Sequence, residues 1–262
     1  KNGILKSDNF NISNEAIKYI IDKYCNESGI RNIEQILDSI CKKYLFEKEI
    51  NNHVLDLSIN NLVNIIEQKP IMIKGESLYR NSGILNGLYC YEGGGGGILK
   101  VQSSIVNGDG RINNLGLLGK KTTNSVQVIY NLLKLNQINW GLPDDLFKTK
   151  DICINYGGSN EVDGPSAGTA TVCSVVSSIK NISVSRNIGM SGEIDLHGNV
   201  LPIGGCRDKI MGSKKEGVTK FFFPIDNKYD IDKLDIDIKN GVEIVLVSRI
   251  EEILLDLGLI NS

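Results

Sequence analysis

The chain changes periodicity at Lys69-Pro70, and that break constrains its architecture more than any other feature. Upstream, from about residue 4 to residue 66, apolar residues recur at helical spacing. Ser13-Asn14-Glu15-Ala16 offers an N-cap, Ile17, Ile20, Ile21 and Tyr24 follow on one face, and Gly29 closes the helix. Arg31-Asn32-Ile33-Glu34 opens a second helix, with Ile33, Ile36, Leu37, Ile40 and Tyr44 on one side. Downstream, short apolar runs are joined by glycine. Strands are expected at 85–91, 98–104, 151–156, 188–193, 220–224 and 242–247, and helices at 124–135, 166–179, 207–216 and 249–257. The expected fold class is α+β, a small all-helical domain over residues 1–70 followed by a mixed α/β domain over residues 71–262.

The bulk numbers exclude several classes of function. A net charge of −2 gives no electrostatic pull toward nucleic acid or anionic lipid. No apolar run approaches the roughly 20 residues that cross a bilayer. Lys1-Asn2-Gly3-Ile4 has no pattern of a signal or transit peptide and no initiator methionine, as expected of a cut made inside a longer protein. The six cysteines contain no C-x-x-C pair and sit mostly in apolar patterns, which fits buried reduced thiols. Only His53 and His197 could add nitrogen ligands, so no metal site is expected. Gly93 through Gly97 are five consecutive glycines, read as a surface hairpin loop that packs nothing and as an engineered replacement for a longer insert.

Histidine scarcity also shapes the chemistry. His53 lies in a polar stretch and His197 in Asp195-Leu196-His197-Gly198-Asn199, a turn between strands, so an activated nucleophile would need another base. The strongest local signal is Asp163-Gly164-Pro165-Ser166-Ala167-Gly168. Glycine and proline impose a tight path into a helix, and Ser166 falls in its first turn, where free amides and the positive dipole end can hold an oxyanion. Small Ala167 and Gly168 would leave room for a substrate backbone. A capping serine among structural glycines is the alternative. The second signal is Leu201-Pro202-Ile203-Gly204-Gly205-Cys206-Arg207-Asp208-Lys209, which places Lys209 near a helix N-terminus. Burial and the dipole there would both lower its pKa, as a neutral lysine base requires; a solvated lysine on a charged helix is the alternative. Leu118-Gly119-Lys120-Lys121-Thr122 fails as a phosphate-binding loop, because Asn114 stands where glycine is required and Lys121 where Ser or Thr is required.

Asp163-Gly164-Pro165-Ser166-Ala167-Gly168, then Met190-Ser191-Gly192-Glu193-Ile194, then Leu201-Pro202-Ile203-Gly204-Gly205 with Lys209, resemble in order and spacing the protease domain of the Lon family of ATP-dependent serine proteases. Tyr24 through Glu34 is similar to the helical lid of the Lon ATPase module. The resemblance implies Ser166 as nucleophile and Lys209 as general base, with Gly164, Pro165 and Ala167 supporting the turn. It places the Ser191 hydroxyl against the lysine, where the family usually has threonine. Asp163 is then the residue that in some relatives swings to block the site, an Asx-type turn being the other reading, and Arg31 the ATP-sensing arginine. It implies no cofactor in this stretch, ATP and Mg in the full-length protein, a homohexameric ring, and unfolded or damaged proteins as substrates. The compartment would be the mitochondrial matrix in a eukaryote or the cytoplasm in a bacterium. Glu161-Val162 replaces the usual Pro-Lys, and Tyr89-Cys90-Tyr91 replaces a segment that usually carries Trp. A catalytically silent ring-assembly or substrate-binding module, or a small-amide hydrolase with the same dyad, would share these motifs.

Overall fold

The computed structural model describes residues 10–25, 31–67, 81–157 and 162–261. The chain divides into two compact units, residues 1–75 and 76–262. The expected boundary at Pro70, the expected helix stop at Gly29 and the departure at Glu161 lie outside the described residues.

The first unit is helical: α1 (Asn14–Tyr24), α2 (Arg31–Ile50) and α3 (Ile59–Ile65). The Ser13 hydroxyl accepts from the Ala16 amide at 3.1 Å, the cap that the sequence offers. Ala16, Ile20 and Tyr24 form the buried stripe of α1 and meet Ile36, Ile40 and Tyr44 of α2 and Leu62 and Ile65 of α3. Ile21, expected on that stripe, is 40% exposed. The i, i+4, i+8 line through residue 16 is the narrower one that α2 and α3 cover, and residue 21 falls off its edge. Arg31 is the exposed first residue of α2.

The second unit is built on a seven-stranded sheet. Its elements in chain order are β1 (Ile84–Cys90), β2 (Gly96–Asn107), β3 (Ile112–Leu115), α4 (Lys120–Leu135), α5 (Leu146–Thr149), β4 (Lys150–Tyr156), α6 (Gly168–Lys180), β5 (Ile188–Met190), β6 (Glu193–Ile194), β7 (Val200–Leu201), α7 (Cys206–Lys215), β8 (Lys220–Pro224), α8 (Lys228–Asp232), α9 (Ile236–Lys239), β9 (Glu243–Val247) and α10 (Ile250–Asp256). The strand order is β3-β4-β2-β1-β5-β8-β9, with β6 and β7 as a separate antiparallel pair. β1–β2 and β2–β4 are antiparallel and the other four neighbours are parallel.

Side-chain alternation along β8 divides the core. Phe222 joins the cluster of α4, α6 and α10, whereas Phe221 and Phe223 join Cys206 and Ile210 of α7, Ile231 of α8 and Ile238 of α9. The sheet is thus covered on both faces, which its apolar central strands require. α6 is buried from Gly168 through Ser177 and yet carries several hydroxyls. Most are satisfied: Ser174 donates to Gly83 O at 2.7 Å, Ser177 accepts from the Gly83 amide at 2.8 Å, and Thr171 donates to Ala167 O at 2.8 Å.

The glycine run corrects the expectation of a bare loop. The hairpin turn uses Gly94 and Gly95, both at positive φ with open space around them. Gly96 and Gly97, however, are strand residues of β2, paired with Cys90 and Tyr89. A Cβ on Gly96 would lie 2.5 Å from Tyr89 O and 2.7 Å from Asp208 O, and one on Gly212 of α7 would overlap Gly96 O. Glycine is needed here because α7 rests on the backbone of β2 without intervening side chains.

Candidate active site

The site forms at the carboxyl end of β5, where open α/β sheets place their chemistry. The run expected to be one strand over 188–193 breaks here. β5 ends at Met190, Ser191 continues pairing through its amide to Phe222 O at 3.1 Å, and Gly192 turns away toward β6. α6 arrives from one face of the sheet and α7 from the other.

The approach to α6 is clamped from upstream. Leu118 and Val162 form a short parallel bridge, with the Gly119 amide donating to Val162 O and the Val162 amide to Leu117 O, both at 3.0 Å. Gly164 then takes φ 129 and ψ 145, a region nearly closed to other residues. Pro165–Ala167 form a single 3₁₀ turn ahead of α6, so half-buried Ser166 sits in that tighter turn and not in the α-helix itself. The Ser166 carbonyl accepts the Gly192 amide at 2.9 Å and the Ser191 hydroxyl at 3.1 Å, while the Thr169 amide donates to Gly192 O at 3.1 Å. Small side chains serve this internal closeness and not the substrate clearance expected for them. Ala167 is buried, and a Cβ on Gly168 would lie 3.0 Å from Gly192 O and 3.1 Å from the Ile194 amide nitrogen.

Lys209 lies in the first turn and a half of α7, whose N-cap Gly205 is left-handed at φ 73. Its side chain is only 2% exposed. Among the described residues its Nζ has one hydrogen-bond partner, the buried Ser191 hydroxyl, at 3.0 Å. Burial holds the amine below the ordinary lysine value, opposed by the nearby thiols of Cys90 and Cys206. Ser191 therefore joins the two predicted residues. Its single proton goes to the Ser166 carbonyl, so it can only accept from Lys209. The amine gives one N–H to that bond, and when neutral it keeps a lone pair free for a second hydroxyl.

Asp163 takes a role that neither sequence reading anticipated. Its carboxylate accepts the Lys121 amide at 3.1 Å, capping α4 from another segment, since the N-cap Gly119 has no side chain to do so. A Cβ at Gly119 would overlap that carboxylate. The helix start that superficially matched a phosphate loop thus already holds an anion of the chain's own. Thr122, which sequence reasoning passed over, is buried and donates to Val162 O at 3.0 Å and Gly164 O at 3.1 Å. His197 lies in the β6–β7 turn as expected, its amide donating to Asp195 at 2.8 Å. Cys173 and Cys206 are buried as expected, but Cys25, Cys41 and Cys153 are only partly buried and Cys90 is exposed, because it ends β1 at the hairpin. Among the described residues no group of three or more His, Cys, Asp or Glu side chains is placed to hold a metal ion, and no helix is long and apolar enough to cross a membrane.

Comparison with known families agrees with this architecture. Residues 58–259 match the Lon protease C-terminal proteolytic domain, and residues 1–53 match the Lon protease AAA+ ATPase lid domain. Similar proteins include the Lon protease of Rickettsia typhi, 34% identical over 253 residues, which covers 95% of this chain and 32% of that protein. The Lon protease of Finegoldia magna is 32% identical over 257 residues, covering 97% of this chain and 33% of that protein. That of Neorickettsia sennetsu is 30% identical over 253 residues, covering 95% and 30%. The chain belongs to the Lon protease family and carries its proteolytic domain. It spans about a third of the length of the curated relatives it matches.

Proposed function

We propose that the chain cleaves peptide bonds with Ser166 as nucleophile and Lys209 as general base, as the proteolytic part of an ATP-dependent protease that degrades unfolded or damaged proteins. The observation that carries this reading is the buried amine, held below its ordinary pKa and one shared hydroxyl away from the Ser166 carbonyl. Neutral Lys209 takes the Ser166 hydroxyl proton as the oxygen attacks the scissile carbonyl. Amides at the head of α6 hold the oxyanion, and the ammonium then returns its proton to the leaving amine. Water hydrolyses the acyl-enzyme with Lys209 again as base. Gly164, Pro165 and Ala167 shape the turn, Ser191 orients the amine, and Asp163 holds the approach to the turn through its cap on α4.

The whole protein is read as a homohexameric ring in the mitochondrial matrix of a eukaryote or the cytoplasm of a bacterium. ATP with its magnesium, bound outside this chain, would supply the free energy for unfolding and feeding substrate. Exposed Arg31 at the head of α2 is the residue of this chain suited to meet it.

A serine-directed covalent probe tests the reading in the whole protein. Labelling is expected at Ser166 and is lost in Ser166→Ala and in Lys209→Ala, with peptide turnover down by roughly 100-fold or more in the lysine variant. Labelling and turnover that survive both substitutions would overturn the dyad, whereas a parent protein that neither labels nor turns over peptide would leave a silent assembly module.

A further inference from the structure

The Ser166 turn is held at its downstream end by the Gly192 amide and the Ser191 hydroxyl, both on the Ser166 carbonyl. Its upstream end has no comparable packing. A Cβ at Gly164 would find nothing within 4 Å, so no side-chain contact fixes this residue in its unusual conformation. What meets it is the Thr122 hydroxyl. That hydroxyl, on a residue 1% exposed, reaches Val162 O at 3.0 Å and Gly164 O at 3.1 Å, the carbonyls on either side of Asp163. Asp163 in turn is held by the Lys121 amide, and Val162 by the Gly119 amide. The first turn of α4 therefore grips three consecutive residues, and Thr122 is the only one of its side chains in that grip.

We infer that Thr122 is a positioning residue for the nucleophile. By fixing the Gly164 carbonyl, it orients the Gly164–Pro165 peptide unit, and through the rigid proline it sets where the Ser166 hydroxyl stands relative to the Lys209 amine. This rests on the Ser166–Lys209 reading above. A hydroxyl has one proton, so Thr122 shares it between two acceptors. Valine matches its shape and cannot make either bond. Near-attack geometry is sensitive to misplacements on the order of 1 Å, so a shift of the Ser166 turn should show in kcat before KM.

The experiment uses the whole protein with ATP and a short fluorogenic peptide. Thr122→Val is expected to lower kcat roughly 10- to 100-fold with KM unchanged within about 2-fold. Thr122→Ser, which keeps the hydroxyl, should restore kcat to near the parent value. The midpoint of the pH–rate profile should stay in place, because Lys209 is untouched. If Thr122→Val does not fold, the comparison of Thr122→Ser with Thr122→Ala isolates the hydroxyl at equal loss of the methyl. Parent-like kcat in a folded Thr122→Val, or equal losses in the Ser and Ala variants, overturns the inference. Turnover that persists in Ser166→Ala would instead sink the dyad itself, whatever Thr122 does.

Discussion

Gly96→Ala tests whether the seat of α7 sets the position of the Lys209 amine, the proposed general base. Gly96 does not have positive φ, so the backbone admits alanine and only space excludes it. The new methyl would lie 2.7 Å from Asp208 O, where ordinary contact begins at 3.4 Å, so relief requires a separation of about 0.7 Å (3.4 − 2.7). Its nearest neighbour, Tyr89 O at 2.5 Å, lies on β1, so the end of β2 must also part from β1, while the contact with Asp208 is relieved by displacing α7. Lys209 follows Asp208 directly. A shift of that size along the Nζ–Ser191 bond stretches it from 3.0 Å to about 3.7 Å, past the range of a hydrogen bond. Overpacking of this kind costs about 1–3 kcal/mol of stability. Misplacement of a catalytic group on this scale costs roughly 10- to 100-fold in turnover. Peptide turnover and thermal melting of the whole protein read the two effects. Gly94→Asn is the control, since Gly94 has open space and asparagine tolerates positive φ better than most residues. Parent-like turnover and melting in Gly96→Ala would refute the argument, because the glycine run would then be an interchangeable linker.

Two further predictions follow from buried polar groups. Lys209 has a folded pKa depressed by burial, so acylation should rise with pH to a plateau, with its midpoint below the ordinary lysine value of 10.5. Between the folded and unfolded pKa values the unfolded chain binds more protons, so stability also rises with pH there and is lost as pH falls through the folded value. Urea titrations across pH should find that part of the slope missing in Lys209→Met. Lys100, lowered to about 8 chiefly by burial, adds its own slope in both proteins and cancels in the difference. A rate that climbs only above pH 10.5, or an unchanged slope in Lys209→Met, would contradict the burial argument. Thr169 is 1% exposed and its hydroxyl finds no partner among the described residues, an exception among the hydroxyls of α6. Thr169→Val should therefore stabilise the chain by about 1–3 kcal/mol, read from the urea midpoint, and a loss of stability would mean that the hydroxyl is satisfied in solution.

The residues that made the fold legible were those whose signal is local. β8 appears at 220–224 as its run of three phenylalanines predicts, and the Ser13 cap and the Asp195 turn form where their own side chains dictate. Ser166 and Lys209 were legible as types in position: a hydroxyl after Gly-Pro and a lysine just inside a helix. β3 was not, because Ile112-Asn113-Asn114-Leu115 is an edge strand paired on one side only, and its polar residues give no alternation to detect. The roles of Asp163, Thr122 and Gly96 depend on what lies across from them, and the segments they touch are 42, 40 or 42, and more than 100 residues away. No local rule reaches that far.

Most helices lie on a layer of side chains, and that layer absorbs small displacements by changing rotamers. At Gly96 and Gly212, α7 has no such cushion: peptide groups bear directly on peptide groups. The backbone that carries Lys209 thus inherits the stiffness of the sheet, and the Ser191 hydroxyl has only the side chain left to align. The same arrangement restricts sequence drift, since neither glycine can gain a side chain unless the opposing surface retreats with it.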